Sequence, residues 1–373
     1  MNTELRILHV ITNLKMGGAE RLTIDICSQL ANTPHIVVML VLLENEIEYE
    51  LPTHFNIVIL KNKCSLSLKK PHSFDNNEFE SILLDFKPHI LHSHLFESEI
   101  ISRYTLHQNI RYFTHVHDNI RQFRPKINLS KKKNVTELFE RWWIFNRYKK
   151  TANKFISISR DTTNYSLKYL PKRLHENIFY LPNSIDTSNF SPSNKLPTNK
   201  LKLIAIGSLV KKKNHTFLID VVNELIKQQL DVELSIVGDG KLKKELALKI
   251  ENLNLQHFIH LLGNRNDISA CLANSDVFVH SATYEPFGLV LLEAMASGTP
   301  IVSIDGKGNK ELITNYENGF ILDKPSPLEF AEKIVELYSD KQLYKQFQNN
   351  GIEFSKQFDI KNYVIKLLNI YKS

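Results

Sequence analysis

Two carboxylates that stand eight positions apart in an apolar stretch are the residues of this chain best suited to chemistry. Glu285 lies in a loop that ends at Gly288, and Glu293 is the only polar residue between Leu289 and Ala296. Because an ionised carboxylate is costly to bury alone, Glu293 needs an ion pair or a ligand. A helix beginning near residue 289 leaves backbone amides free at its start, where the helix dipole favours an anion. A phosphate site near a carboxylate that accepts hydrogen bonds from hydroxyl groups is typical of a protein site that binds a nucleotide through its phosphate and its ribose.

The expected phosphate ligands are the backbone amides of Phe287, Gly288 and Leu289. The alternative is that Glu293 pairs with a buried Lys or Arg and only stabilises the fold. The second carboxylate, Glu285, and the glycine, which lets a backbone approach a ligand, favour the binding site.

Histidines stand at the ends of two predicted strands in the first half of the chain. His117 directly follows the predicted strand 111–116, and ligands of open α/β sheets lie beyond the carboxyl ends of strands. The alternative for His117 is a hydrogen bond to backbone. His92 and His94 alternate in the strand 90–94 and share one face, but no third metal ligand of suitable spacing follows. We therefore expect packing or acceptor-side roles for this pair, and no metal.

Strands and helices alternate along the chain and must position these residues. A strand, a loop ending in Gly17 and Gly18, and a helix follow one another over 5–30, as at the start of a Rossmann-like domain. A strand, a turn at Gly207 and a helix repeat this order over 201–227. The two adjacent glycines of the first loop do not have Gly-x-Gly-x-x-Gly spacing, so a dinucleotide fingerprint is absent.

The length and composition indicate a globular protein of two domains. The chain has 373 residues, of which 42% are hydrophobic and 23% are charged. The Pro-, Ser- and Asn-rich stretch 191–200 is the expected linker. We expect an N-terminal domain over 1–190 and a C-terminal domain over 191–355.

The cysteines and apolar runs predict a cytoplasmic location. The three cysteines are scattered without metal spacing, which fits a reducing compartment without disulfides. Residues 1–10 lack the long apolar core of a signal peptide, and the longest apolar run, 36–43, is too short to span a bilayer.

Positive charge is concentrated in the segment 119–154. It holds eleven Lys and Arg residues against two Glu residues, whereas the net charge of the whole chain is +7. Both tryptophans lie among these cations, and Leu138, Trp142 and Phe145 are spaced as one helix face. Basic charge with interleaved aromatic residues suits an anionic membrane surface, a nucleic acid, or a solvated helix whose aromatic side chains pack inward.

The stretch from Glu285-Pro286-Phe287-Gly288 to Glu293 resembles the Glu-x7-Glu motif of retaining GT-B glycosyltransferases of family 4. The resemblance extends over nearly the whole chain, because three further segments match family motifs: Gly17-Gly18-Ala19-Glu20, His117-Asp118, and Leu181 to Asp186, where Ser184 replaces the usual Gly. It implies two Rossmann-like domains facing a central cleft, with a C-terminal helix, within 356–373, that returns to the N-domain.

The resemblance also implies a role for each candidate residue. Catalytic roles are implied for His117, Glu285 and Lys213, and Glu285 orients the donor sugar while Lys213 holds the donor diphosphate. The implied donor-binding set is Gly17, Gly18, Gly207, Ser208, Lys213, Gly238, Arg265, Glu285, Phe287, Gly288, Leu289 and Glu293. Ser208 stands where many relatives have an Arg, so one cation facing the diphosphate is missing.

The implied reaction moves a hexose or N-acetylhexosamine, with retention, from a nucleotide-sugar to a cell-envelope glycan or lipid-linked acceptor of the capsule, lipopolysaccharide or O-antigen type. A UDP-sugar is the expected donor, and no metal is expected, because the chain contains no Asp-x-Asp. Because such acceptors are lipid-linked, we expect the basic segment 119–154 to contact the inner face of the cytoplasmic membrane. We expect it not to bind nucleic acid. The residues expected there are Arg121, Arg124, Trp142 and Trp143. The alternatives are a nucleotide-sugar epimerase of GT-B fold and a non-catalytic glycan-binding relative.

Overall fold

The computed structural model describes residues 4–61, 76–124, 132–192 and 195–373. The chain forms two compact units, one of Met1–Pro182 with Tyr363–Ser373 and the other of Asn183–Asn362. The predicted boundary at residue 190 differs from this division. Residues 183–190 belong with the second unit, because Ile185 forms a β-bridge with Asp359 and the Thr187 hydroxyl donates a hydrogen bond to the Asp359 carboxylate.

The first unit is built on a seven-stranded parallel sheet with the order β3-β2-β1-β4-β5-β6-β7. Its strands are β1 Leu5–Ile11, β2 Ile36–Leu42, β3 Asn56–Ile59, β4 Ile90–His94, β5 Arg111–Val116, β6 Lys154–Ser157 and β7 Ile178–Tyr180. Registered pairing sets His9 opposite His92, and His94 opposite His115. Histidines of three neighbouring strands therefore come together, although they are far apart in the sequence.

The helices of the first unit are α1 Gly18–Ala31, α2 Asn77–Phe86, α3 Phe96–Ser102, α4 Lys132–Thr151 and α5 Arg160–Tyr169. Helix α5 begins with a capping box, in which Ser159 and Thr162 satisfy each other's backbone amides. Most of α12, Ile360–Lys372, also belongs to this unit, where the buried Tyr371 hydroxyl lies 2.6 Å from Nδ1 of His92. The predicted return of the last helix to the N-terminal domain is confirmed.

The second unit is built on a six-stranded parallel sheet with the order β10-β9-β8-β11-β12-β13. Its strands are β8 Leu201–Ile206, β9 Val232–Val237, β10 Ile259–Gly263, β11 Val277–His280, β12 Ile301–Ile304 and β13 Phe320–Leu322. Its helices are α6 His215–Lys227, α7 Lys243–Asn252, α8 Ile268–Ala273, α9 Leu289–Ala296, α10 Pro327–Ser339 and α11 Lys341–Ser355. Branched aliphatic side chains of the sheet pack against α6 and α10 in one core.

The predicted apolar face of α4 is wrong in one residue. Trp142 is 62% exposed, whereas Ile144, Phe145 and Tyr148 are buried against Phe123. A helix turns by about 100° per residue, so a face that contains Phe145 and Tyr148 turns Trp142 away from the core. Among the described helices, none is long and apolar enough to span a bilayer.

Candidate active site

The Lys213 ammonium and the Glu285 carboxylate form an ion pair in the second unit. Lys213 ends a 3-10 turn between β8 and α6, and Glu285 follows β11. The two side chains are only 15% and 14% exposed. The neighbouring strands β8 and β11 thus place two of the predicted catalytic residues together at the carboxyl edge of the sheet, which is where ligands of open α/β sheets bind.

Backbone contacts from three loops hold this ion pair. The Ser281 hydroxyl donates to the Lys213 carbonyl at 2.9 Å. The Glu285 amide donates to the Gly306 carbonyl at 2.7 Å, and the Gly308 amide donates to the Glu285 carbonyl at 3.0 Å. These hydrogen bonds fix the backbones from which both charged side chains extend, and the ion pair holds the two charges together.

The electrostatics keep Glu285 ionised. Burial by itself raises the pKa of Glu285, but the charge of Lys213 and its hydrogen bond outweigh this effect, so the pKa lies below its ordinary value. His280 lies 3.7 Å from the Glu285 carboxylate, and burial, aided by the Lys213 charge, lowers its pKa to about 3. The site therefore holds one cation, one anion and one neutral imidazole at neutral pH.

The predicted helix after this loop is confirmed as α9. Its first position follows Gly288, which has φ +70°, and no side chain of the described residues caps the helix. A Cβ on Gly288 would lie 2.9 Å from Leu291 and 3.3 Å from Glu285, so the position is tight as well as left-handed. Glu293 is half-buried on α9 and has an interaction partner. The helix start offers amides to an anion beside Glu285.

Two predicted donor-binding glycines meet where β8 and β9 end. Gly207 has φ +150° and Gly238 has φ +136°, and a Cβ on Gly238 would overlap the Gly207 carbonyl. Ser208 is exposed between them and the lysine turn. Arg265 is bound through two nitrogens by Asp267, at 2.7 and 2.5 Å, so its guanidinium is already engaged.

The predicted first loop of the first unit is organised by Tyr49. The Gly17 amide donates to the Tyr49 hydroxyl, which donates to the Gly17 carbonyl, both at 3.0 Å. Gly18 begins α1 and is exposed. Burial raises the pKa of Glu20 in the first turn, and a Cβ on Gly17 would overlap that carboxylate. The backbone at Gly17 is extended and the overlapping atoms are the end of the flexible Glu20 side chain, so a Cβ here would displace that carboxylate without straining the backbone.

His117 lies just beyond β5 and is half-buried. Its Nε2 lies 2.9 Å from Nδ1 of His94, and its ring stacks on His115 with 4.1 Å between centroids. Burial lowers the pKa of His117 to about 3. The alternative of a backbone-bonded histidine is not what the structure shows, because the His117 ring bonds another imidazole.

We call His9, His92, His94, His115 and His117 the histidine cluster. No third ligand follows His92 and His94 at a suitable spacing in the sequence, but strand pairing brings His9 to them from the start of the chain. The histidines form two triples, and within each triple one ring nitrogen of every residue lies within 4.8 Å of the others. The triples are His9, His92 and His94, and His94, His115 and His117. The rings of His115 and His117 are parallel within 6°, however, so their in-plane lone pairs do not converge on one point. The nitrogen pairs His9–His94 and His94–His117 each lie 2.9 Å apart, which is the distance of a hydrogen bond between rings.

The four residues predicted to contact a membrane differ in their contacts and in their exposure. Arg121 forms an ion pair with Glu137 at 2.8 Å, and the Arg124 guanidinium lies over the Tyr169 ring at 5.5 Å. Trp143 is half-buried. Trp142 alone among the four projects a large apolar group into solvent.

Two family models match consecutive parts of the chain. The model described as Glycosyltransferase Family 4 matches residues 16–189, and the model described as Glycosyl transferases group 1 matches residues 186–354. An uncharacterized glycosyltransferase of Haemophilus influenzae is 24% identical over 355 residues, which cover 93% of this chain and 94% of that protein. The UDP-Gal:alpha-D-GlcNAc-diphosphoundecaprenol alpha-1,3-galactosyltransferase of Escherichia coli is 30% identical over 207 residues, 52% of this chain and 54% of that protein.

Solved structures show the same fold over the whole chain. The Anabaena protein HepE, crystallised with UDP and glucose, has a TM-score of 0.78 at 20% identity and covers 99% of this chain and 100% of its own. TarM has a TM-score of 0.79 at 16% identity and covers 100% of this chain and 99% of its own. The two family models, taken together with this likeness, show that the chain is a glycosyltransferase of GT-B fold that belongs to family 4, the glycosyl transferases of group 1.

Proposed function

We propose that the enzyme is a retaining transferase that moves a hexose or N-acetylhexosamine from a UDP-sugar to a cell-envelope glycan or a lipid-linked acceptor. The observation that carries this proposal is the largely buried Lys213–Glu285 ion pair at the carboxyl edge of the second sheet, whose two residues are held through hydrogen bonds to their backbones. A cation and an anion side by side suit a substrate that is anionic at its diphosphate and carries hydroxyl donors on its sugar.

Lys213 and the amides at the start of α9 would stabilise the leaving group. Breaking the anomeric bond develops negative charge on a nucleoside diphosphate, and preorganised donors at such a charge are a large catalytic contribution. Amides of Phe287, Gly288 and Leu289 stand beside Glu285 in the same loop and helix start. Ser208 supplies no cation here, so Lys213 has the larger share of this task in this chain.

The two carboxylates would divide the binding of the donor. Glu285, held ionised, accepts hydrogen bonds from hydroxyls of the sugar. Glu293, further along α9, accepts from the ribose hydroxyls. The donor and acceptor classes are supported by relatives, because the Escherichia coli relative is named for a UDP-sugar donor and a diphosphoundecaprenol acceptor, and HepE was crystallised with UDP-glucose.

We also propose a peripheral contact between α4 and an anionic membrane, at the inner face of the cytoplasmic membrane. Exposed residues of α4 include Trp142, Lys149 and Lys150, and Phe139 stacks on Trp142 with 6.0 Å between ring centroids. An exposed tryptophan between cations is typical of helices that lie in the membrane interface. Such a contact would bring the enzyme to a lipid-linked acceptor.

The test is release of nucleoside diphosphate from a panel of UDP- and other nucleotide-sugars, with and without an undecaprenyl-diphosphate-linked sugar. Release that depends on the acceptor, with an α-linked product from an α-linked donor, is the expected result. A changed sugar without release of diphosphate would instead indicate an epimerase. Binding of nucleotide-sugars without turnover on any acceptor would overturn the proposal in favour of a glycan-binding protein.

A further inference from the structure

Three imidazoles of the first unit form a hydrogen-bonded chain that ends at His117. Nδ1 of His9 lies 2.9 Å from Nε2 of His94, and Nδ1 of His94 lies 2.9 Å from Nε2 of His117. A neutral imidazole has one N–H donor and one acceptor nitrogen. The tautomer of the middle ring therefore determines which nitrogen carries the proton in both of its neighbours.

Thr23 determines the tautomer of the middle ring. Its hydroxyl donates a hydrogen bond to the Ala19 carbonyl at 2.7 Å, so its single proton is used. The same oxygen lies 3.2 Å from Nδ1 of His94 and can only accept there. His94 therefore carries its proton on Nδ1, and the Thr23 oxygen and Nε2 of His117 share this N–H.

The two outer rings follow from this assignment. Nε2 of His94 is an acceptor and takes the Nδ1 proton of His9. Nε2 of His117 accepts from His94, so His117 carries its proton on Nδ1. The reverse direction would place a proton on Nε2 of His9, which is buried and has no partner among the described residues. In either direction one outer ring has a buried N–H without a partner among the described residues: Nε2–H of His9 in the reverse direction, and Nδ1–H of His117 in this one. The Thr23 hydroxyl therefore decides between the two directions.

We propose that Thr23 and His94 are positioning residues that hold His117 as its Nδ1–H tautomer, so that His117 donates a hydrogen bond to a hydroxyl or phosphate oxygen of the substrate. This rests on the proposed function for the identity of the substrate. Nδ1 of His117 is buried and meets no hydrogen-bond partner among the described residues, so an N–H there is satisfied only when an oxygen of a ligand reaches it. Its Nε2 is occupied by His94, so His117 does not act as a general base.

The low basicity of these rings makes the choice of tautomer matter. Burial lowers the pKa of His117 to about 3, and burial together with the neighbouring histidines lowers the pKa of His94 well below its ordinary value. Both rings are neutral at pH 7. A neutral ring needs a fixed tautomer to present a donor, whereas an imidazolium would present donors on both nitrogens.

The tautomer can be measured directly by NMR on the full chain labelled with ¹⁵N-histidine. His117→Phe identifies the His117 resonances by their loss. We expect a pyrrole-type shift for Nδ1 of His117 and a pyridine-type shift for Nε2. A protonated Nε2 on His117 in the wild-type protein overturns the proposal.

Two pairs of variants separate the tautomer from packing. His94→Asn keeps an amide donor where Nδ1–H stands, whereas His94→Gln moves the amide toward His9. Thr23→Ser keeps the hydroxyl, whereas Thr23→Val removes it at nearly constant volume. We expect wild-type His117 shifts in the Asn and Ser variants, and mixed tautomers in the Gln and Val variants.

Turnover gives the second readout. The Gln and Val variants should lose about tenfold in kcat/KM, as expected for the loss of one hydrogen bond worth about 1.4 kcal/mol in the transition state. The Asn and Ser variants should stay within about twofold of the wild type on the same scale. Equal losses within each pair would show that packing alone is responsible. The NMR readout is independent of turnover. An inactive wild type would therefore refute the proposed function but would leave the tautomer assignment of His117 unaffected.

Discussion

At the scale of single residues, the Lys213–Glu285 ion pair is the feature that the sequence could not show. Both residues are predicted from motifs, but their contact depends on β8 and β11 being neighbours in the sheet. Each charge of the pair compensates the other. A bound nucleotide-sugar would take over part of both interactions, so neither residue needs to be desolvated without a partner.

Removal of each carboxylate should impair a different property, nucleotide affinity in one case and turnover in the other. Glu293→Ala should weaken UDP binding about tenfold, as loss of a hydrogen bond to ribose predicts. Glu285→Ala should instead lower kcat about 100-fold with little change in UDP affinity. UDP affinity by calorimetry and steady-state kinetics separate the two effects. If both variants lost affinity and turnover equally, the division of roles would be wrong.

At the scale of elements, apolar runs predicted the strands well because parallel strands are buried on both faces. Helix α6 begins and ends where its apolar pattern predicts. The face of α4 was less predictable, because tryptophan suits both a core and an interface, and only the buried Tyr148 decides which side turns inward. The histidine cluster could not be predicted, since it depends on the pairing of β1 with β4, about 80 residues later.

Helix α4 offers a test of the membrane proposal. Trp142→Ser combined with Lys149→Glu and Lys150→Glu should weaken binding to phosphatidylglycerol vesicles about tenfold or more, since each basic residue near an anionic surface contributes about 1 kcal/mol. Leu248→Ser is the control, because Leu248 is 58% exposed on α7 of the second unit. Co-sedimentation measures both. Unchanged binding of the triple variant would rule out this face of α4 as the contact.

The close approach of Gly238 to the Gly207 carbonyl, where β9 and β8 end, offers a test of backbone packing. Gly238→Ala should destabilise the second unit by about 3 kcal/mol, because the new Cβ adds an overlap with backbone to the strain of a positive φ. Gly263→Ala is the matched control: φ is +69°, nothing lies within 4 Å of the added Cβ, and about 1 kcal/mol is expected. Native-state hydrogen exchange of β8 and β9 peptides measures both. Similar losses in the two variants would contradict the close approach.

At the scale of the whole molecule, acid should destabilise the first unit more than its net charge suggests. Burial lowers the pKa of His9 and of His117 from 6.5 to about 3. As pH falls below 6.5, the unfolded chain binds protons that the folded unit does not, so each of these rings costs about 1.4 kcal/mol per pH unit until its folded pKa is reached. The raised pKa of Glu20 and of Glu99 acts in the opposite sense, because there the folded form binds the proton first.

A variant isolates the contribution of one histidine. His9→Asn keeps a donor toward His94 but does not titrate, so its loss of stability between pH 7 and pH 5.5 should be about 1.4 kcal/mol smaller than that of the wild type. Both tryptophans lie in α4, so their fluorescence in urea follows the first unit specifically. The exposed His35→Asn is the control and should behave as the wild type. An unchanged pH dependence in His9→Asn would contradict a neutral buried ring.

Across the molecule, motif residues near strand ends were predictable because a parallel sheet gathers its carboxyl ends at one edge. What the sequence could not supply is which of these residues compensate one another. Arg265 is such a case, because its ion pair with Asp267, two residues later, engages a cation that the sequence leaves free to bind phosphate.

The most direct measurement is the turnover of Lys213→Met and Glu285→Gln against a matched surface pair. Lys227 and Glu224 form an exposed ion pair on α6, 2.8 Å apart, so Lys227→Met and Glu224→Gln remove the same charges away from the site. With a UDP-sugar and a lipid-linked acceptor that the wild type uses, we expect each site variant to release UDP at least about 100-fold more slowly, and each surface variant to match the wild type. Equal rates in all four variants would contradict the central claim that the Lys213–Glu285 pair performs the transfer.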